Sequence, residues 1–364
     1  MSSGVPAATP TRMSAAERRA VDEAVRRVFG EGPWIGGPEV AGFEQEFGEY
    51  LGSPAVVGCA NGTDALVLAL TALDIETSAE VLVPGHDGGY AATAARLAGL
   101  VPVTVDVDAA TAGPTVATLD AALAIASGAR ALIITHLHGD PVDLTPIDAW
   151  RRDRGLLLIE DCAQAHGARS AGRAVGTIGD AGAYSFYPTK NLGAMGDAGA
   201  VVFADQAAAA RARSLAQYGW GERYDVQVPR GRNSRLDPLQ AAVLRARLPF
   251  LEGRNSRRIE VRDRYRAAAP QLPFVGGDAS VAHHAVVRSE HRARLAAHLD
   301  ARGIATAIHY PVAVRDMPGL DLRGATTPAA RVLSEQVISL PCTPELRDDE
   351  VDTVCDALSS WADR

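Results

Sequence analysis

Between Ala55 and Ala204 the sequence alternates short apolar runs with stretches of helical or turn character. The runs are Ala55–Gly58, Glu80–Val83, Pro102–Val107, Ala131–Leu137, Leu156–Ile159, Ala183–Phe186 and Ala200–Phe203. This alternation predicts an α/β domain with a mostly parallel mixed sheet flanked by helices. In open α/β sheets ligands sit beyond the carboxyl ends of the strands. The residues that follow each run are therefore where chemistry is to be sought.

The 364 residues, 47% of them hydrophobic, suffice for two domains or for one large domain with an appendage. Ser14-Ala-Ala-Glu17 reads as a capping box that opens an amphipathic helix running to about Phe29, preceded by a frayed start over residues 1–12. An Ala- and Leu-rich helix around Leu236–Leu251 leads into Arg-rich helical sequence. Beyond it a strand at His284–Arg288, a helix near Arg292–Arg302 and a last helix from about Asp348 to Trp361 are expected. We therefore expect a large domain over residues 1–245, with an N-terminal arm, and a small α+β domain over residues 246–364. A net charge of −8 argues against a general nucleic-acid or anionic-membrane binder. No run reaches the roughly 18 apolar residues of a membrane span, and the start lacks a secretory pattern, so a cytoplasmic protein is expected. Cys59, Cys162, Cys342 and Cys355 form no Cys-x-x-Cys pair, which predicts reduced thiols and no zinc ribbon.

Lys190 is the only lysine in a chain whose Lys and Arg total is 36. Surface charge can be carried by either residue, whereas condensation with a carbonyl needs a primary amine, which Arg lacks. Upstream, Gly155-Leu-Leu-Leu-Ile-Glu-Asp161 reads as a buried strand ending in an acid. An Asp at a strand end and a reserved Lys are the pair that a pyridoxal 5′-phosphate (PLP) enzyme requires, one for the pyridinium nitrogen and one for the aldehyde. Asn61-Gly62-Thr63-Asp64 ends a strand and opens an apolar helix, so its free amides and the Thr63 hydroxyl can hold an anion; a plain helix cap is the alternative.

From about Gly32 to Leu346 the chain resembles the DegT-type nucleotide-sugar aminotransferases of PLP fold type I. The resemblance rests on Gly37-Pro38-Glu39-Val40, Asn61 to Leu66, Glu160 to Gly167, Ser185 to Gly193, Asn233 to Asp237 and Ile308-His309-Tyr310-Pro311. It implies that Lys190 carries PLP as a Schiff base and moves the proton, and that Asp161 partners the pyridine nitrogen. Gly62, Thr63 and Ser185 would hold the phosphate, with Asn233 reaching it from the neighbouring subunit of a homodimer. Gln164 would contact the ring and its phenolic oxygen, and Tyr90 would stack on the ring, although two glycines stretch the usual spelling before it and a core tyrosine competes. His138, where the family usually has Tyr, is placed near the substrate, together with His309 and Tyr310; His283 and His309 also suit structural roles. Arg223 and Arg230, with Arg232 and Arg235, would meet a nucleotide diphosphate, a solvated charge run being the alternative.

The implied reaction moves an amino group from L-glutamate, through the pyridoxamine form of the cofactor, to a dTDP-linked 3- or 4-keto-deoxyhexose. The aminosugar would serve a secondary metabolite such as an antibiotic, or a surface glycan. Rivals are a PLP-dependent sugar dehydratase, which in this family replaces the lysine by histidine, and a non-catalytic PLP-binding regulator. A dehydrogenase or P-loop protein is disfavoured because neither glycine pattern occurs. His136 and His138 would lie on one face of a strand, but no metal is expected.

Overall fold

The computed structural model describes residues 4–361 apart from Pro54 and Asp321. Residues 1–3 and 362–364, the outer ends of the two expected domains, lie outside the described residues. Helices α1 (Ala15–Glu31) and α2 (Pro38–Leu51) precede β1 (Val56–Cys59), α3 (Gly62–Ala72), β2 (Glu80–Pro84), α4 (Tyr90–Leu97), β3 (Val101–Val105), α5 (Val116–Leu123), β4 (Ala129–Thr135), α6 (Leu144–Asp153) and β5 (Leu157–Asp161). A small hairpin, β6 (Arg169–Ser170) and β7 (Arg173–Ala174), leads to β8 (Ala181–Ser185), β9 (Gly199–Phe203), α7 (Gln206–Leu215), α8 (Pro238–Arg247) and α9 (Leu251–Ala268). The last part holds β10 (Ala285–Arg288), α10 (Arg292–Asp300), β11 (Arg323–Gly324), α11 (Pro328–Gln336), β12 (Val337–Leu340) and α12 (Asp348–Ser359).

The main sheet has the order β1-β9-β8-β5-β4-β2-β3-β11. Only the pairings of β9 with β1 and with β8 are antiparallel; the others are parallel. Successive side chains of a strand point to opposite faces, and both faces here are apolar. From β4, Ala131 and Ile133 join the core that contains Leu66, Leu68 and Leu70 of α3, while Leu132 and Ile134 pack with Leu119 of α5 and Ile147 and Trp150 of α6. Full burial on both sides is the reason these strands read as continuous apolar runs. The mostly parallel mixed sheet flanked by helices is the architecture expected from the sequence.

A separate core takes in Val261 and Tyr265 of α9, Leu295 and Leu299 of α10, Val351 and Val354 of α12, and Val5. The expected boundary between residues 245 and 246 falls in the last turn of α8, ahead of this core. The sheet does not respect that boundary, because β11, a strand from the C-terminal part, pairs with β3 at its edge.

Three sequence expectations change. Residues 4–12 are not frayed: Val5 bridges Ile304, the Thr9 hydroxyl lies 2.6 Å from that of Thr343, and Arg12 pairs with Glu350 at 2.9 Å. Polar side chains there bind the C-terminal unit. The helix expected over Leu236–Leu251 is broken by a 3₁₀ turn at Leu248–Phe250, where Pro249 removes a backbone donor. Only half of the capping box forms. Ser14 accepts the Glu17 amide at 3.1 Å, but the Glu17 carboxylate turns inward to Arg247 at 2.8 Å and Arg254 at 3.1 Å.

That inward turn ties α1 to the active-site scaffold, since Arg247 also donates to the carbonyl of Gly193 in the Lys190 turn. Glu17 and Arg247 are both buried, so removing one partner strands a desolvated charge. Glu17→Ala is expected to destabilise the protein by about 3–5 kcal/mol, read as a lowered urea midpoint; a loss below about 1 kcal/mol would show that the ion pair does not anchor α1.

Candidate active site

Four parallel strands and the turn after β1 deliver their ends to one cavity of about 330 Å³. Thr135 ends β4, Asp161 ends β5 and Ser185 ends β8, while Asp87 follows β2 and Asn61, Gly62 and Thr63 follow β1. All of these line the cavity, as do Tyr90, Gln164 and Lys190.

Lys190 lies in a turn closed by its own N–H to the Tyr187 carbonyl at 2.8 Å. The next residue, Asn191, is fully buried and pins the turn: its Nδ2 donates to Asn255 Oδ1 at 2.7 Å, and its Oδ1 lies 2.8 Å from His283 Nδ1. Burial pulls the Lys190 amine down from 10.5 to about 8, against the opposing pull of the Asp161 carboxylate. Making the amine neutral at pH 7 then costs about 1 kcal/mol instead of about 5. Burial also raises Asp161 above the ordinary carboxylate range, an effect countered by the Ala163 N–H at 3.0 Å and by the charge of Lys190. One acid and one base thus face a common space, each kept ionisable by the other.

At the opposite end, Asn61 caps α3 by accepting the Asp64 amide at 2.8 Å. The first amides of a helix have no partner within it, which leaves those of Gly62 and Thr63 at the cavity together with the Thr63 and Ser185 hydroxyls. A Cβ on Gly62 would lie 2.5 Å from Cβ of Ser185. The close approach of the two segments needs glycine there, and it forms a cradle of donors at a positive helix end.

The other expected residues divide into two groups. Gln164 is fixed by two hydrogen bonds, its Oε1 accepting the His138 N–H at 2.6 Å and its Nε2 donating to Tyr310 Oη at 3.0 Å. His138, Tyr310 and His309 therefore stand behind the cavity wall. The His309 ring stacks on that of His284 with centroids 4.0 Å apart, and His138 lies 6.0 Å from His284. Burial holds these imidazoles neutral at pH 7, with His309 pulled down to about 4. By contrast, Arg223, Arg230 and Asn233 lie on the loop after α7, away from the cavity of their own chain. Arg223 covers the Tyr224 ring at 4.9 Å, Arg230 reaches the Ala98 carbonyl at 3.4 Å, and Asn233 bridges Gln217.

His136 and His138 do not share a strand face, because β4 stops at Thr135 and His138 sits in a 3₁₀ turn at φ +60°. His136 instead meets Glu160 at 3.0 Å, with Cys162 nearby. The Glu160 carboxylate is already saturated by the amides of Gly176, Ile178 and Gly179, each at 2.7 Å, so it acts as a structural hub. Asp87 was not singled out from the sequence. It is buried, accepts the Gly89 amide at 2.7 Å and the Ala91 amide at 3.1 Å, and so caps the helix that carries Tyr90; burial raises it to about 7. An acid just past the end of β2 was the available signal.

The Lys190 shift fixes a pH dependence. In the cofactor-free protein the unfolded lysine takes its proton near 10.5 and the folded one only near 8, so between these values the unfolded state binds more protons and stability rises with pH. Lys190→Met is expected to stabilise the cofactor-free protein by about 3 kcal/mol at pH 7, the gap to wild type narrowing as pH climbs towards 10. Urea melts at pH 7 and 9.5 measure it, and a gap that stays constant would contradict the burial of a titrating amine.

A profile of the DegT/DnrJ/EryC1/StrS aminotransferase family matches residues 15–359. The chain is 41% identical over 358 residues to the dTDP-3-amino-3,4,6-trideoxy-alpha-D-glucose transaminase of Streptomyces venezuelae, covering 95% of this chain and 93% of that protein. Among solved structures it is similar to S. venezuelae DesV in complex with a ketimine intermediate, at 39% identity and a TM-score of 0.94, covering 99% of both chains. It is also similar to NtdA of Bacillus subtilis with bound cofactor PMP, at 25% identity and a TM-score of 0.89, covering 98% of this chain and 84% of that one. With the reserved lysine, the acid opposite it and the fold type I sheet all in place, the chain belongs to the DegT/DnrJ/EryC1/StrS aminotransferase family.

Proposed function

We propose that this PLP-dependent aminotransferase moves an amino group from L-glutamate to a dTDP-linked 3- or 4-keto-deoxyhexose, giving an aminosugar. The observation that carries the reading is the single lysine, half-buried at the cavity with its amine brought to about 8 and facing Asp161. The residues present fit the cofactor. The cradle at Gly62, Thr63 and Ser185 offers amide and hydroxyl donors to a phosphate, and Asp161 offers a buried carboxylate to a ring nitrogen. Bound there, PLP supplies an aldehyde that takes up an amine and a ring that accepts electrons.

The chain's own contribution is to hold and move protons. Near neutral pH a fraction of the Lys190 amine is unprotonated, so it can take a proton from a substrate carbon and return it without leaving the cavity. A base placed in this way contributes about 10²–10⁴-fold. Asp161, kept ionisable by Lys190, holds positive charge on the ring side. Gln164, with its amide fixed at both ends, presents a rigid polar group to the cavity.

Asn233, Arg223 and Arg230 fit the reading through a second copy of the chain. Trp34, Ile35, Met195 and Tyr224 are exposed large apolar side chains of the kind a partner subunit covers. We infer a homodimer in which this surface is covered and the loop carrying Asn233, Arg223 and Arg230 reaches the neighbouring cavity. Among the described residues no helix is long and apolar enough to cross a membrane.

Lys190→Arg keeps the charge and removes the amine chemistry. Turnover with L-glutamate and a panel of 3-keto and 4-keto sugar nucleotides is expected to fall roughly 10³-fold or more, with circular dichroism unchanged. Activity within tenfold of wild type would end the reading.

A further inference from the structure

The wall of the cavity that holds Gln164 and Tyr90 is built from behind by a residue that does not line it. Tyr310, from the C-terminal part, accepts the Gln164 amide at 3.0 Å, and its ring meets that of Tyr90 edge to face with centroids 5.9 Å apart at 75°. Its own N–H donates to His86 Nε2 at 3.4 Å, and His86 Nδ1 lies 3.2 Å from the hydroxyl of Ser334. Tyr310 is therefore held at its backbone and spends its hydroxyl on Gln164.

Both tyrosine rings crowd Gly88. A Cβ placed there would lie 2.8 Å from Cε2 of Tyr90 and 2.9 Å from Cε1 of Tyr310, well inside van der Waals contact, and the backbone is at φ +79°. With no side chain at residue 88, the two rings close over the backbone and share the space. Without the Tyr310 hydroxyl, Gln164 would keep only its bond to the His138 N–H and could rotate its amide into or out of the cavity.

We infer that Tyr310 is a positioning residue for the cofactor-facing wall, fixing the Gln164 amide and the Tyr90 ring from behind, and that Gly88 is the position that leaves room for both. The inference rests on the reading that the cavity holds PLP. It gives Tyr310 a task distinct from contact with the sugar, and it makes the C-terminal part answerable for the geometry of a site built by the main sheet.

The test uses cofactor-free full-length protein titrated with PLP, followed by visible absorbance and tryptophan fluorescence. Wild type, Tyr310→Phe, Gln164→Ala, the double variant and Gly88→Ala are compared, with KM for the keto-sugar measured separately. Tyr310→Phe is expected to weaken cofactor binding about five- to tenfold, the loss of one hydrogen bond, while KM for the sugar moves less than about twofold. The double variant is expected to bind no more weakly than Gln164→Ala alone, since the two act through one contact. Gly88→Ala is expected to bind at least as weakly as Tyr310→Phe; should it fail to fold, the other variants decide. Tyr310→Phe that binds the cofactor as wild type does, or losses that add in the double variant, would overturn the inference. Wild type that takes up no PLP would instead sink the underlying reading, so the two failures are distinguishable.

Discussion

Burial of one primary amine opposite one carboxylate is the constraint on which the site depends. Neither group is at ease in a low dielectric, and the charge of each favours ionisation of the other. Their environment comes from the sheet. Asp161 can be buried because it ends β5 between β4 and β8, and the strand-end register pairs it with Thr135 on one side and Ala183 on the other. Lys190 is held at the cavity because the turn after β8 is clamped by Asn191 and Arg247, both fully or nearly fully inaccessible. The charges that make the chemistry are held by neutral amides and by buried cations further out.

The central sheet was legible because its physics is local: strands buried on both faces must be apolar along their whole length, and turns between them must punctuate. Lys190, Asp161 and the Gly62-Thr63 cap were legible for a related reason, since each combines a residue type with a position at a strand end. Boundaries drifted where a neighbouring segment decided them. β4 stops at Thr135 because a 3₁₀ turn with His138 at φ +60° follows, although the His136 N–H still reaches the Asp161 carbonyl at 3.0 Å, and nothing in the run Ala131–Leu137 records that turn. The strand β11, two residues long, and the bridge from Val5 to Ile304 exist only through distant pairing, so no window of sequence contains them.

The same distinction separates the parts of the site. Asp87 acts through its own loop, capping α4, which begins three residues on, and a search for acids after strand ends finds it. The wall at Gln164 is held by hydrogen bonds to His138 and Tyr310, so it joins three separate stretches of chain. The histidines behind it, His138, His284 and His309, come from both sides of the expected domain boundary, and their neutrality arises first from burial and, for His138 and His284, also from the neighbouring imidazoles. Composition shows that histidines are present; only the fold shows that they form one uncharged backing.

The absence of every other lysine then has a physical reading. Arg258 is buried, and that burial lowers it from 12.5 to about 10 while it donates to the carbonyls of His283 and Cys342. Burial brings Lys190 from 10.5 to about 8. The two penalties are similar in size, yet their consequences differ because the residues start from different points. Arg258 stays a cation across the physiological range and can serve as a permanent strut, as Arg247 and Arg262 do beside it. Lys190 is brought within reach of neutral pH and can surrender its proton. A buried lysine at any of the strut positions would titrate and release the carbonyls it held, whereas arginine there leaves the proton chemistry to the one residue placed at the cavity.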